Sequence, residues 1–283
     1  MVKAEFGNWH IECLPEDGAR ISVLKYGGKD LLTPAISSFR KPENNYGEYE
    51  LRPVYGYDDC FPTVDKCIYP GENFECRDHG ELYRQKWEVK TEKSGLTCST
   101  VCLKPEASFT RTLEFSGNNL TWYFEVKNRS GKPFPFLHVM HTLMPLKIIK
   151  SIEVTDFRKV FDENKSTDLK LKKPKDVNDH LLNLKEGEYE MLILKKVKRG
   201  NINLGFKNGI TLGIEYDAEI FPSLGIWWNN GAYPCEDGLR RTECAFEPIP
   251  GTCSNLEKSF QDGIYLKVDP FGTYKWKISW SIS

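Results

Sequence analysis

"INLGFKNGITLGIEY", residues 202–216, decides the fold class. Ile202, Leu204 and Phe206 alternate with small or polar residues up to Asn208-Gly209, and Ile210, Leu212 and Ile214 alternate away from it. A period of two sets these apolar side chains on one face of an extended chain, whereas a helix would scatter them around its axis. Asn and Gly both tolerate positive φ, so the pair can reverse the chain between two strands. The stretch predicts an antiparallel hairpin with one buried face.

The same period recurs on either side. In "WKISWSIS", Trp276, Ile278, Trp280 and Ile282 share a face. In "LTWYFEVK", Leu120, Trp122, Phe124 and Val126 do. Turn clusters such as "FSGNN" and "NRSGKPF" separate the strands. No amphipathic 3.6-period pattern holds over three turns. The lysine-rich "STDLKLKKPKD", residues 166–176, reads as a solvated loop. There is no repeat and no low-complexity linker. The prediction is an all-β protein: one large antiparallel β-sandwich domain spanning residues 1–283.

Charge and cysteine usage limit the function classes. Thirty-nine basic and 40 acidic side chains nearly cancel, which gives no reason to expect nucleic acid or an anionic membrane surface as a partner. No stretch approaches the ~18 apolar residues of a membrane span. The opening "MVKAEFGNWHIECLPEDGAR" lacks the apolar core of an export signal, so a cytoplasmic location is expected. The nine cysteines are scattered and form no C-x-x-C pair; free thiols and no metal site are expected.

Four polar features stand out from the strand pattern. "DHGELYRQKW" sets His79 in an acid–Gly turn, where a solvated turn histidine is the ordinary explanation. "PFPFLHVMHTLMPL" holds His138 and His141 three residues apart, so they leave opposite faces of a strand and at most one can face a given cavity. "CAFEPIPG" places Glu247 in an apolar segment, where a carboxylate costs several kcal/mol unless it is paired or used. A salt bridge to Arg240 or Arg241 would account for it. "SLGIWWNNGAYP" puts Trp227 and Trp228 on opposite faces of one strand, one for the core and one for a groove.

The order of the pieces "GARISVLKYGGKDLL", "DDCFPTV", "DHGELYRQKW", "FTRTLEFSGNNLTWYFEVKNRSGKPFPFLHVMH", "LGIWWNN", "AFEPIPG" and "YLKVDPFGTYKWKISW" resembles the galactose mutarotase-like superfamily, the aldose 1-epimerases and their relatives. The resemblance covers about residues 15 to 282. It implies a large antiparallel sandwich. It also implies catalytic roles for His79, for His141 (with His138 as the near alternative) and for Glu247. Asp59, Arg84, Trp227, Trp228 and His138 complete the substrate contacts it suggests. Two family patterns are missing. No "N-R" motif precedes the His-Gly turn. Val54 in "VYGYDDCFP" stands where the hexose-phosphate relatives carry arginine, and Asp58 and Asp59 would repel a phosphate.

The implied activity is interconversion of α- and β-anomers of an aldose. A base takes the C1 hydroxyl proton while an acid protonates the ring oxygen, the C1–C2 bond rotates, and closure reverses the steps. A carboxylate with a reference pKa of ~4.3 suits the base, and an imidazole near ~6.5 suits the acid. No cofactor is required. The expected partner is a monosaccharide or sugar phosphate, and the chain is expected as a monomer or homodimer. The alternative is a non-catalytic carbohydrate-binding module, or an enzyme acting on a modified or oligomeric sugar.

Overall fold

The computed structural model describes residues 1–35, 49, 54–233 and 240–283. Strands hold 52% of these residues and helices 8%. Pairing within the three large sheets is antiparallel. The first sheet runs Val2–Phe6, Trp9–Leu14, Arg20–Tyr26, Tyr57–Cys60, Val139–Thr142, with Lys29–Asp30 on the side of Arg20–Tyr26. The second has eight strands: Ile149–Val154, Asn201–Phe206, Thr211–Tyr216, Thr273–Ile282, Asn119–Asn128, Glu106–Ser116, Gly95–Leu103 and Glu88–Glu92. The third runs Met144–Pro145, Thr242–Ile249, Ser223–Asn230, Glu188–Lys195, Lys159–Asp162, Thr167–Leu169.

Alternation generates the core. Trp276, Ile278, Trp280 and Ile282 are buried between exposed or half-buried neighbours, and so are Leu120, Trp122, Phe124 and Val126. One apolar cluster joins Trp9 and Ile11 of the first sheet, Trp122 and Trp280 of the second, and Ile226 and Phe246 of the third. Buried aromatics of this size supply most of the apolar area a sandwich removes from water.

The 202–216 hairpin forms with Leu204 opposite Leu212 and Ile202 opposite Ile214. Its turn is wider than a two-residue one. Phe206 donates its N–H to the Ile210 carbonyl at 2.8 Å, leaving Lys207, Asn208 and Gly209 as the loop. Only Gly209 takes positive φ, at 84°. Asn208 instead accepts the Ile210 N–H on its side chain at 3.2 Å.

The 166–176 stretch departs from the expected loop. Thr167–Leu169 is a strand, and an α-helix, Pro174–Leu182, begins inside the lysine run. Pro at the first helical position is preorganised for the turn, and Asp176 accepts the Lys172 and Lys173 N–H groups at 2.8 and 3.0 Å. At nine residues, the helix is too short for a three-turn periodicity to reveal it.

Two buried arginines brace the first sheet, one from the second sheet and one from within it. Arg111, on Glu106–Ser116, donates to the Asp59 carboxylate and to the Ala19 carbonyl, and lies over the rings of Tyr57 and Trp87. Arg20 meets Asp17 and Asp58, each at 3.1 Å, and the Tyr55 carbonyl at 2.6 Å.

Candidate active site

The third sheet supplies one wall. In its central pair Glu243 lies opposite Asn229, Ala245 opposite Trp227, and Glu247 opposite Gly225, so Glu243, Glu247 and Trp227 share a face. Cys244 and Phe246 between them enter the core. Tyr189 and Met191 of the next strand continue the wall. His141 comes from the first sheet, and Asp65, Asp78 and His79 come from the connection that follows Tyr57–Cys60. With Tyr49, Glu163, Tyr233 and Arg241 they line a cavity of about 350 Å³.

His79 is aimed by a strained turn. Its φ is 58°, in the left-handed region that costs a non-glycine residue roughly 1–2 kcal/mol. Gly80 follows at 73°, and a Cβ there would lie 2.0 Å from the Phe61 carbonyl oxygen. The turn is pinned by His79 N–H to the Val64 carbonyl at 2.6 Å and by Glu81 N–H to the Phe61 carbonyl at 2.7 Å. The imidazole stacks on Tyr49 with centroids 3.6 Å apart and meets His141 edge-on at 4.8 Å. Its Nδ1 lies 3.0 Å from the Asp78 carboxylate, out of line for a hydrogen bond. Strain of this kind marks functional sites because the surrounding structure must maintain it.

A hydrogen-bonded series fixes His141. Tyr49 donates its O–H to Asp58 at 3.1 Å and lies 2.9 Å from His141 Nδ1. A phenol has one proton to give, so with that proton on Asp58 its oxygen accepts from His141 Nδ1–H. Asp58 is in turn held by Arg20.

Glu247 is only 2% exposed. Among the described residues it makes no hydrogen bond or ion pair. Arg241 pairs with Glu243 at 3.3 Å, and the salt bridge that would have explained Glu247 structurally is not made. Burial pushes the Glu247 carboxyl up to about 8, with Glu163 and Asp65 adding to the shift. The sequence expectation of a carboxylate fully ionised at neutral pH is therefore corrected: desolvation favours the neutral form. Asp65 also moves up, to about 6, through desolvation and then the charges of Glu163 and Asp78. Trp227 stands on the aromatic side of the cavity, with Tyr189 and Tyr233 at 5.6 and 5.9 Å.

The structure thus brings His79, His141, Glu247 and Trp227 together. Four other expected contacts lie outside the cavity lining. Trp228 is buried in the core, on the opposite face of its strand from Trp227. His138 is fully buried among Phe109, Phe124 and Trp276 and bonds Asp59 at 3.0 Å. Burial would raise the Asp59 pKa, but Arg111 and the bonds from His138 and Tyr57 outweigh it and hold Asp59 below its usual value. Asp59 and His138 are therefore core residues. Arg84 sits on a short 3₁₀ turn with Glu81 at 3.7 Å.

Sequence reasoning missed Tyr49, Asp65 and Glu163. Each lies in a connection whose composition matches a solvated turn, and neither period nor spacing distinguished them. Among the described residues no group of three or more His, Cys, Asp or Glu side chains is placed to hold a metal ion.

No family model matches the chain, and no curated protein matches it. Solved structures do. A galactose mutarotase related enzyme from Lactobacillus acidophilus aligns over 100% of this chain and 97% of its own, at 16% identity and a TM-score of 0.70. A galactose mutarotase-like protein from Lactobacillus casei aligns over 100% of both chains at 13% identity and TM-score 0.71. Another, from Clostridium acetobutylicum, aligns over 99% of this chain and 94% of its own at 14% identity and TM-score 0.71. The fold is the galactose mutarotase-like β-sandwich, as the order of sequence motifs implied.

Proposed function

We propose that the chain is an aldose 1-epimerase: a cofactor-independent isomerase that interconverts sugar anomers by acid–base ring opening. Glu247, in its carboxylate form, takes the C1 hydroxyl proton as the C1–ring oxygen bond breaks. His141 gives its proton to the departing ring oxygen. The aldehyde rotates about C1–C2, and the two groups reverse roles on closure. With Nδ1 committed to Tyr49, the His141 proton that moves is the one on Nε2. His79 holds the sugar, and Trp227 offers an apolar face to its C–H groups.

The supporting observation is the convergence of a buried carboxylate, unpaired among the described residues, with two histidines in one small cavity. A structural carboxylate in that position would be paired. A cavity of about 350 Å³ is near the lower end of the ~300–1,000 Å³ range for small-molecule sites, which suits a monosaccharide better than an oligomer. A positioned acid or base is worth typically ~10²–10⁴-fold, enough for a reaction that already proceeds in water.

The test is polarimetry or NMR of freshly dissolved α-glucose and α-galactose with the purified protein. Faster approach to anomeric equilibrium is expected, with the acceleration falling by orders of magnitude in Glu247→Gln. Near wild-type rates in a folded Glu247→Gln protein would refute the assignment.

A further inference from the structure

We infer that the preferred substrate is an aldose carrying a protonated amino group, held by the carboxylates of Asp65, Glu163 and Glu247. This rests on the reading of the cavity as an aldose site and specifies which aldose.

Among the described residues, the lining of the cavity is unbalanced in charge. Asp65, Asp78, Glu163, Glu243 and Glu247 all line it. Among the described residues, Arg241 is the one arginine lining it and no lysine does; Arg241 is committed to Glu243. Asp78 stands against His79. Among the described residues, Asp65, Glu163 and Glu247 make no ion pair, and His79 and Lys258 act on Asp65 only as weaker charges.

Those three acids are gathered by the fold. Ser254 gives its N–H and its hydroxyl to the two Glu163 oxygens, at 3.1 and 2.6 Å. The Ser254 carbonyl accepts the backbone N–H groups of Val64 and Asp65, at 3.1 and 3.0 Å. Asp65 and Glu163 thus meet at one serine, just beyond the strand that carries Glu247. Glu247, buried and without a partner among the described residues, is the independent sign of a ligand at the group. The carboxyls also feel one another: Glu163 raises both Glu247 and Asp65.

A neutral sugar offers hydroxyl donors to such a cluster but leaves its mutual repulsion in place. A phosphate would add to it. An ammonium supplies three N–H donors and the compensating charge. It would also favour the ionised form of Glu247, and so ready the base when substrate is bound.

The test compares α-glucosamine and α-galactosamine with α-glucose, α-galactose, N-acetylglucosamine and glucose 6-phosphate. Anomerisation kinetics give kcat/KM, and titration calorimetry at low ionic strength gives Kd. Glucosamine or galactosamine should bind about tenfold or more tighter than its neutral parent. N-acetylglucosamine, with the charge removed, should lose that advantage, and glucose 6-phosphate should rank last. In Asp65→Asn and Glu163→Gln, the amino-to-neutral ratio should fall several-fold, with thermal melting verifying the fold. A ratio near one in the wild-type protein, or an unchanged ratio in both variants, overturns the inference. If glucose or galactose is anomerised without an amino preference, only this inference fails. If no sugar in the panel is accelerated, it fails together with the epimerase reading.

Discussion

At the scale of the residue, Glu247 links function to stability. Its carboxyl titrates at 4.5 when unperturbed and at about 8 in the folded chain. Below pH 4.5 both the folded and unfolded states hold the proton, so the residue is neutral for stability. Between 4.5 and about 8 the unfolded state ionises first, and stability falls by about 1.4 kcal/mol per pH unit. Above about 8 the loss is complete. Glu247→Gln should therefore melt several degrees higher than wild type at pH 8 and at the same temperature at pH 4, as calorimetric scans would reveal. The same titration enters the activity profile: with Glu247 holding its proton well above the ordinary carboxylate range, kcat/KM for a neutral aldose should keep rising with pH past that range until His141 loses the proton it must donate. A limb centred near pH 4.5 would show that the base is another group. Tyr49→Phe preserves the ring stacked on His79 but deletes the hydroxyl between Asp58 and His141. It should lower kcat about tenfold or more while leaving KM within a few-fold, because it frees the imidazole to turn.

At the scale of the element, strand alternation explains both what could be read and what could not. His138 and His141 were separable in principle, since three residues along a strand reverses the face, but which face met the cavity required the partner strand. That strand pairs Asp58 with His141 and Asp59 with Met140, so adjacent aspartates part company. Asp58 supports the site, and Asp59 neutralises Arg111 in the core. Asp59→Ala should cost about 3–5 kcal/mol in denaturant unfolding, the usual consequence of stranding a buried charge. Asp58→Asn should lower turnover disproportionately to its effect on stability. The Asp78-His79-Gly80 turn was legible as a turn but not as a strained one, because its φ values follow from contacts with Phe61 and Val64 far back in the chain. Gly80→Ala adds a methyl against the Phe61 carbonyl. It should weaken sugar binding and lower the melting temperature together, whereas His79→Asn should affect chiefly binding.

At the scale of the whole molecule, the all-β architecture was open to reading because each sandwich strand must bury one face, and that requirement writes period two into the sequence. The cavity was less open, because residues 49, 65, 79, 141, 163 and 247 meet only after the first and third sheets and their connections are assembled. The short helix escaped for a related reason: its value lies in where it docks. Asn178, on the helix, accepts the backbone N–H of Ile152 at 2.9 Å, and Ile152 belongs to a terminal strand of the eight-stranded sheet. The strand at the other end reads Glu88-Val89-Lys90-Thr91-Glu92, with a charge at every second position. Unsatisfied strand edges recruit further strands from other molecules, and natural sheets blunt them with charges or cover them. The helix thus covers part of one edge, as charges blunt the other. Val177→Asp, which would detach the helix at a fully buried position, should leave a protein that scatters light and forms thioflavin-positive polymer on warming, under conditions where the parent chain stays dispersed.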